Sequence, residues 1–375
     1  MRVIGLWVAA LIAIGLATSE AAAYPEFQLS TDNARCNQCH IAPAGGGLLN
    51  GYGRSESGDT ISQFGGDGSF LHGAYEEPDW LGLGVDLRGM GLVRQRPGDD
   101  EPDTAVFPMQ GDTYVALFAG DFTLYGAVGP RAQVRRPESV VDRFGVREYW
   151  LMWRPSAIGW YARAGRFHAP FGLRPQDHTR YIRRYQGLNI WEENLALSLG
   201  KVAAGDEVHL TAFAPVPFSL GGHAPGESGA TAYWETRPGD QLVIGAQARV
   251  GFGGDSQRYT AGGVAKYWLA PSHLLVSGEL DLTLERFDVA DASRGQLTSY
   301  LAASWFPHTG WMLTATLERH AADLAVAGTA RDTASVGLQY FPLAHFEIMV
   351  QGRVELAGSF ERAQQLGFLQ FHYYL

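Results

Sequence analysis

From Trp80 to the C-terminus the chain alternates between apolar and polar residues in runs of about ten. Leu81, Leu83, Val85 and Leu87 alternate with Gly82, Gly84, Asp86 and Arg88. Leu280, Leu282 and Leu284 alternate with Glu279, Asp281, Thr283 and Glu285. Phe346, Ile348, Val350 and Val354 alternate with Glu347, Gln351, Arg353 and Glu355. Successive side chains of a strand point to opposite faces, so each run has one apolar and one polar face. Sandwich and propeller strands share this period but average about five or six residues, and no blade-sized repeat recurs here. Longer runs fit strands that cross a bilayer. In lipid only a closed barrel pairs every backbone group of a sheet.

The turns give a strand count. Short turns fall at 119–121, 154–156, 205–206, 237–240, 270–272, 307–310 and 342–344. Longer polar or Gly-rich loops lie near 95–111, 130–143, 167–193, 215–228, 251–257, 287–294, 321–331 and 357–364. Seven turns and eight loops predict an all-β fold, a 16-stranded antiparallel transmembrane β-barrel. The strands near 112–129 and 194–202 carry the weakest pattern.

Composition agrees. Only 18% of residues are charged, yet mean hydropathy is −0.10, so apolar residues are interleaved rather than clustered. Six tryptophans (Trp153, Trp160, Trp234, Trp268, Trp305 and Trp311) lie beside short turns, where alternation would aim them outward as an aromatic girdle. The last strand alternates through Leu369, Phe371 and Tyr373 to Leu375, much like the terminal strand of outer-membrane proteins. A net charge of −10 argues against a nucleic-acid partner.

Three segments follow: a leader (1–23), a head (24–78) and the barrel (79–375). Arg2, an apolar run from Val3 to Ala17 and Ala21-Ala22-Ala23 read as a secretory signal peptide cleaved before Tyr24. The head holds both cysteines of the chain, in Cys36-Asn37-Gln38-Cys39-His40. Cys-x-x-Cys-His is the attachment signature of a c-type haem, the cysteines taking the vinyl groups and the histidine the iron. A redox dithiol needs no adjacent histidine, and a zinc site needs two more ligands. The expected cofactor is therefore one covalent haem c held by Cys36, Cys39 and His40. A head this small is expected to lean on the barrel, beneath its mouth or inside it.

A second iron ligand is sought by position. His72, in the same segment, is the first candidate for the distal side. Met90 lies about ten residues up the first strand, and Met109 lies in the first outer loop. His209, His273, His308, His345 and His372 fall at the short-turn rim, and alternation turns all but His308 inward. Of these, His372 is the alternative distal ligand.

The stretch from Arg166 to Glu193 is basic, with Arg174, Arg180, Arg183 and Arg184. Its Pro170-Phe171-Gly172-Leu173-Arg174 resembles a stretch seen in many porin-like proteins. Folded inward, it would constrict a pore and favour anions. His168, Asp177 and His178 offer a looser metal set there. The lumen is expected to mix Glu279, Asp281, Glu285, Glu318, Glu347 and Glu355 with Arg163, Arg249, Lys266 and Arg353.

A leader, one Cys-x-x-Cys-His motif and a barrel in that order resemble the fused monohaem cytochrome–porins of the bacterial outer membrane. Phe27 before the motif and Gly51-Tyr52-Gly53 after it belong to the likeness. The family's Phe-Ala-Arg segment is replaced by Tyr24-Pro25-Glu26-Phe27. The resemblance implies electron transfer between an extracellular donor or acceptor, Fe(II) among the donors, and a periplasmic c-type cytochrome. Outer-membrane lipid is the implied surroundings, and an oligomer is allowed. With Fe(II) as donor the chain would be an oxidoreductase. Two other readings share these features: a solute-selective porin with a haem-bearing plug, and a sheath around a separate multihaem cytochrome.

Overall fold

The computed structural model describes residues 25–32, 35–130, 144–190, 192–216, 226–288, 292–358 and 363–375. The expected leader lies outside them.

Sixteen strands form one closed barrel. They are β1 (Leu81–Gln95), β2 (Asp103–Ala119), β3 (Phe122–Pro130), β4 (Phe144–Trp153), β5 (Gly159–Phe167), β6 (Asn194–Val202), β7 (Asp206–Ala214) and β8 (Ser228–Gly239). There follow β9 (Leu242–Phe252), β10 (Ser256–Leu269), β11 (Leu274–Phe287), β12 (Ala292–Trp305), β13 (Trp311–Ala321), β14 (Ala330–Tyr340), β15 (Phe346–Ala357) and β16 (Ala363–Tyr374). Each pairs antiparallel with its neighbours in sequence, and β16 closes on β1. All seven expected short turns join the strands expected of them.

Alternation sorts the wall as read from sequence. Leu197 and Leu317 stand 61% and 59% exposed on the outside, while Asp281, Glu318 and Lys266 are buried inside. Such an outer surface suits hydrocarbon rather than water.

Two expectations need correction. The first outer loop is shorter than 95–111, because β2 already begins at Asp103. Its register slips where Arg88 pairs with Gln110 but Gly89 with Pro108, so Met109 is an extra residue in a bulge. Trp268 points inward rather than joining the girdle. It lies two places from inward Lys266 on β10, and period two puts both on one face. Tyr267 takes the outer position, 45% exposed, while Trp268 packs on Phe306 at 5.7 Å.

The lumen is filled from both ends. From the short-turn end enters the head, with helices α1 (Glu26–Ser30) and α2 (Gly51–Glu56). It is tied to the turns of the rim. Asn37 Nδ2 donates to the Ala157 carbonyl at 2.7 Å, and Arg237 Nη2 pairs with Asp32 at 2.8 Å. Gln63 N–H donates to the Phe341 carbonyl at 2.9 Å and Ala344 N–H to the Gly65 carbonyl at 3.1 Å. Leu29 joins Val243 and Leu275 in an apolar cluster, and Leu48 joins Tyr114 and Tyr125 in another. Leu48 occupies the space where a β-carbon of Gly84 would sit. From the long-loop end, the connection between β5 and β6 folds inward, with a short helix α3 (Tyr181–Arg184).

Candidate functional site

Head, inward loop and wall meet around one cavity. Cys36, Cys39 and His40 line it from the head, Leu173 and Arg174 from the loop, and Asp86, Arg88, Lys266 and His372 from the wall.

Local backbone explains the motif's placement. Cys36–Gln38 form one tight helical turn, capped by the Cys39 N–H donating to the Cys36 carbonyl at 3.3 Å. The chain then reverses through Gly45, Gly46 and Gly47, all at positive φ, a conformation glycine adopts without strain. That reversal pairs His40 with Leu49 and seats α2 behind the motif. Asn50 caps α2 by accepting from Gly53 N–H at 2.9 Å, and its amide donates to the Gln38 carbonyl at 2.9 Å. Both cysteines are free thiols. Burial raises them to about 11 (Cys36) and about 12 (Cys39), and lowers His40 to about 4. His40 is therefore neutral, the form that binds a metal.

The inward loop is latched by its own charges. Arg180 pairs with Glu318 at 2.9 Å, Arg353 binds Asp177, and Leu173 N–H donates to Glu279 at 2.6 Å. Burial opposes charge on Asp177, but Arg353 and Arg180 outweigh it and hold the carboxyl well below its usual range. Glu193, at the loop's end, receives Arg147 and Arg166, each at 3.2 Å. Arg183 is spent on backbone carbonyls of the loop, at 3.0 Å to Pro175 and Leu188. Arg184 stays exposed, 5.6 Å above the Tyr185 ring. Arg174 reaches deepest, with Nη2 4.0 Å from Cys36 Sγ and 3.8 Å from Glu207, and its guanidinium 5.2 Å above the Tyr233 ring.

The other sequence-derived candidates separate. His72 does not line the cavity. Leu71 and His72 take left-handed backbone, φ 51° and 55°, which turns the segment over the rim. There the His72 ring stacks on Phe346 and sits 3.2 Å from the Tyr373 hydroxyl, both on the outer face. His209 contacts the Tyr161 hydroxyl at 2.5 Å, and His345 contacts the Gly68 carbonyl at 2.7 Å. His273 is exposed in its turn. Met90 and Met109 stand higher up the wall, outside this cavity. His168 faces Glu193 at 3.4 Å while Asp177 faces Arg353, so the looser metal set is not assembled. Among the described residues no group of three or more His, Cys, Asp or Glu side chains converges as a metal site.

The residues fit a covalently attached haem. Both thiols and the adjoining imidazole share one cavity, walled by Phe27, Ile61, Val85 and Tyr114. Arg174 Nη1 and Arg35 Nε are buried without a partner, which suits the carboxylates of a porphyrin. His372 Nδ1 lies 2.7 Å from Glu347, and its Nε2 lies 2.9 Å from Asp86. The contact of Arg174 with Cys36 had no local signal in the sequence, since 138 positions separate the two.

The architecture is that of a porin-type barrel with sixteen strands. Among solved structures it is similar to outer-membrane OmpT of Vibrio cholerae, with 11% identity over 80% of this chain and 99% of that one, at a TM-score of 0.57. The anion-selective porin of Comamonas acidovorans matches with 10% identity over 79% and 99%, at 0.58. OmpF of Salmonella typhi, in complex with daunomycin, matches with 12% identity over 79% and 97%, at 0.58. At these identities the likeness concerns the fold. No family model matches the sequence. No curated protein matches it either.

Proposed function

We propose that the chain is a bacterial outer-membrane electron-transfer protein, a porin-like barrel holding one haem c in its lumen. Cys36 and Cys39 would attach the haem, and His40 and His372 would bind its iron. Single electrons pass between a donor or acceptor outside the cell and a periplasmic c-type cytochrome. Fe(II) enters as one such donor on the strength of the resemblance.

The shared cavity of Cys36, Cys39, His40 and His372 carries this reading. The haem supplies a one-electron couple; the chain supplies the rest. Glu347 at His372 Nδ1 fixes the ring so that Nε2 faces the cavity, the usual outer partner of a ligating histidine. Asp86 then keeps Arg88, 3.1 Å away, as its partner. Arg174 and Arg35 answer the propionates. Head and loop together exclude bulk water, which strengthens each of these charges.

A diffusion porin would leave its bore open, and a sheath would leave room for a second cytochrome. Here the chain's own head and loop fill that space, which favours a sealed conduit. The test uses the full chain in liposomes. A c-type haem spectrum, reduction by Fe(II) or another impermeant donor from the outer face only, and negligible conductance in a planar bilayer are expected. A large steady conductance, or no covalent haem after expression with a haem-attachment system, would overturn the reading.

A further inference from the structure

A second cavity, of about 300 Å³, sits directly above the first along the same strands. On β1 the lower one touches Val85, Asp86 and Arg88, and the upper one Arg88, Met90 and Leu92. Arg88 lies between them. The upper lining contains Met90, Met109 and Met349, half of the chain's 6 methionines. Met90 and Met349 both pair with Gln370 on the strand between them, so the three stand in one row. Phe107 flanks the row opposite Met90, and Met109 reaches it from the bulge in β2. Gln370 is 2% exposed and its Nε2 has no partner.

We propose that this upper cavity binds a planar aromatic redox carrier of the quinone class, which exchanges electrons with the haem below. The inference rests on the haem reading. The volume reaches the small end of the small-molecule range and exceeds what a bare ion needs. Thioethers and phenyl rings grip flat rings of varied outline, because methionine adapts its shape and sulfur packs well on aromatics. The orphaned Gln370 amide donates to a carbonyl oxygen, the group a quinone presents. Gln176 lines the upper cavity and its Nε2 lies 3.3 Å from His372 Nδ1, so two side chains join carrier and haem ligand. The hydroquinone form gives up two electrons in two single steps. Each electron reduces one ferric haem to ferrous, and each step releases one proton to water.

The probe is 1,4-naphthoquinone, titrated into the detergent-solubilised full chain and into a Cys36→Ala/Cys39→Ala chain that lacks haem. Calorimetry is expected to show micromolar binding to both. Met349→Trp fills the cavity and should weaken binding at least tenfold, with heat-modifiability and haem spectrum unchanged. Naphthohydroquinone should reduce the haem of the full chain and reduce it at least tenfold more slowly in Met349→Trp. Absence of binding to both chains overturns the inference while leaving the haem reading standing. So does tight Cu(I) binding by the three thioethers with no competition from naphthoquinone. Equal binding and reduction in Met349→Trp overturns it as well. A full chain without haem that still binds the probe refutes the haem reading and the electron exchange together.

Discussion

Gln176 Nε2 lies 3.3 Å from His372 Nδ1, joining the tip of an inward loop to the last strand of the barrel. The contact ties the position of His372 to the outer half of the molecule. Glu347 holds the same nitrogen at 2.7 Å. His372→Ala is expected to convert the haem from a six-coordinate low-spin to a high-spin absorption spectrum. His72→Ala, altered on the outer face, should leave the spectrum unchanged. Low-spin spectra in both variants would remove His372 from the iron.

Arg174 is the only loop cation that touches the motif among the described residues, at 4.0 Å from Cys36 Sγ. A positive charge beside the haem favours the reduced state. Arg174→Gln should lower the midpoint potential by about 60 mV, the equivalent of ~1.4 kcal/mol for one electron. Redox titration of the purified chain measures it; an unchanged or raised potential contradicts the placement.

The head is seated by close approach at Gly84, where a β-carbon would come within 2.6 Å of the Leu375 carbonyl and crowd Leu48 and Tyr114. Gly84→Val should loosen the head by roughly 1–3 kcal/mol of overpacking. The readout is conductance in planar bilayers, expected to rise from nearly closed to intermittent porin-like openings.

His345 locks the rim side of the head. It is buried, its Nε2–H donates to the Gly68 carbonyl, and Ser57, Tyr374, His72, Arg54 and Asp67 surround it. Burial lowers it from 6.5 to about 4. A base harder to protonate when folded stabilises the docked head fully above pH ~6.5. That stability is lost as the pH falls towards 4, on the order of 3 kcal/mol in all. Hydrogen exchange over residues 51–78 should speed up on acidification through this window, and His345→Gln should flatten the dependence.

Glu193 is fully buried between Arg147, Arg166 and His168. Glu193→Ala leaves two guanidinium groups with a lost partner inside the wall, a change that costs about 3–5 kcal/mol. Trypsin should then cleave after Arg183 or Arg184 in the intact barrel, where the parent chain resists.

The strands were legible because alternation is local: each run of β11 or β15 declares its two faces without reference to any other. Glycine and proline punctuated the runs, so the turn count matched. Trp268 leaves the girdle because its parity with Lys266, not its place at a rim, sets the face it takes. The bulge at Met109 hid because one inserted residue reverses the pattern beyond it. Beyond the five-residue motif and His372, the cavity itself was not legible. Its other walls come from separate parts of the chain, such as Arg174, which meets Cys36 across 138 positions. Period and spacing carry no information about which inward residues converge.

The cavity is bounded by the head, the inward loop and Tyr374 and Leu375 at the end of β16. Strand β16 closes the wall by pairing with β1, so the enclosure exists only once β16 is in place. Anything as large as a porphyrin must be on the head before that seam forms. On the proposed reading the topology would fix the order of manufacture: a haem would be loaded onto the unfolded chain before the wall closes around it.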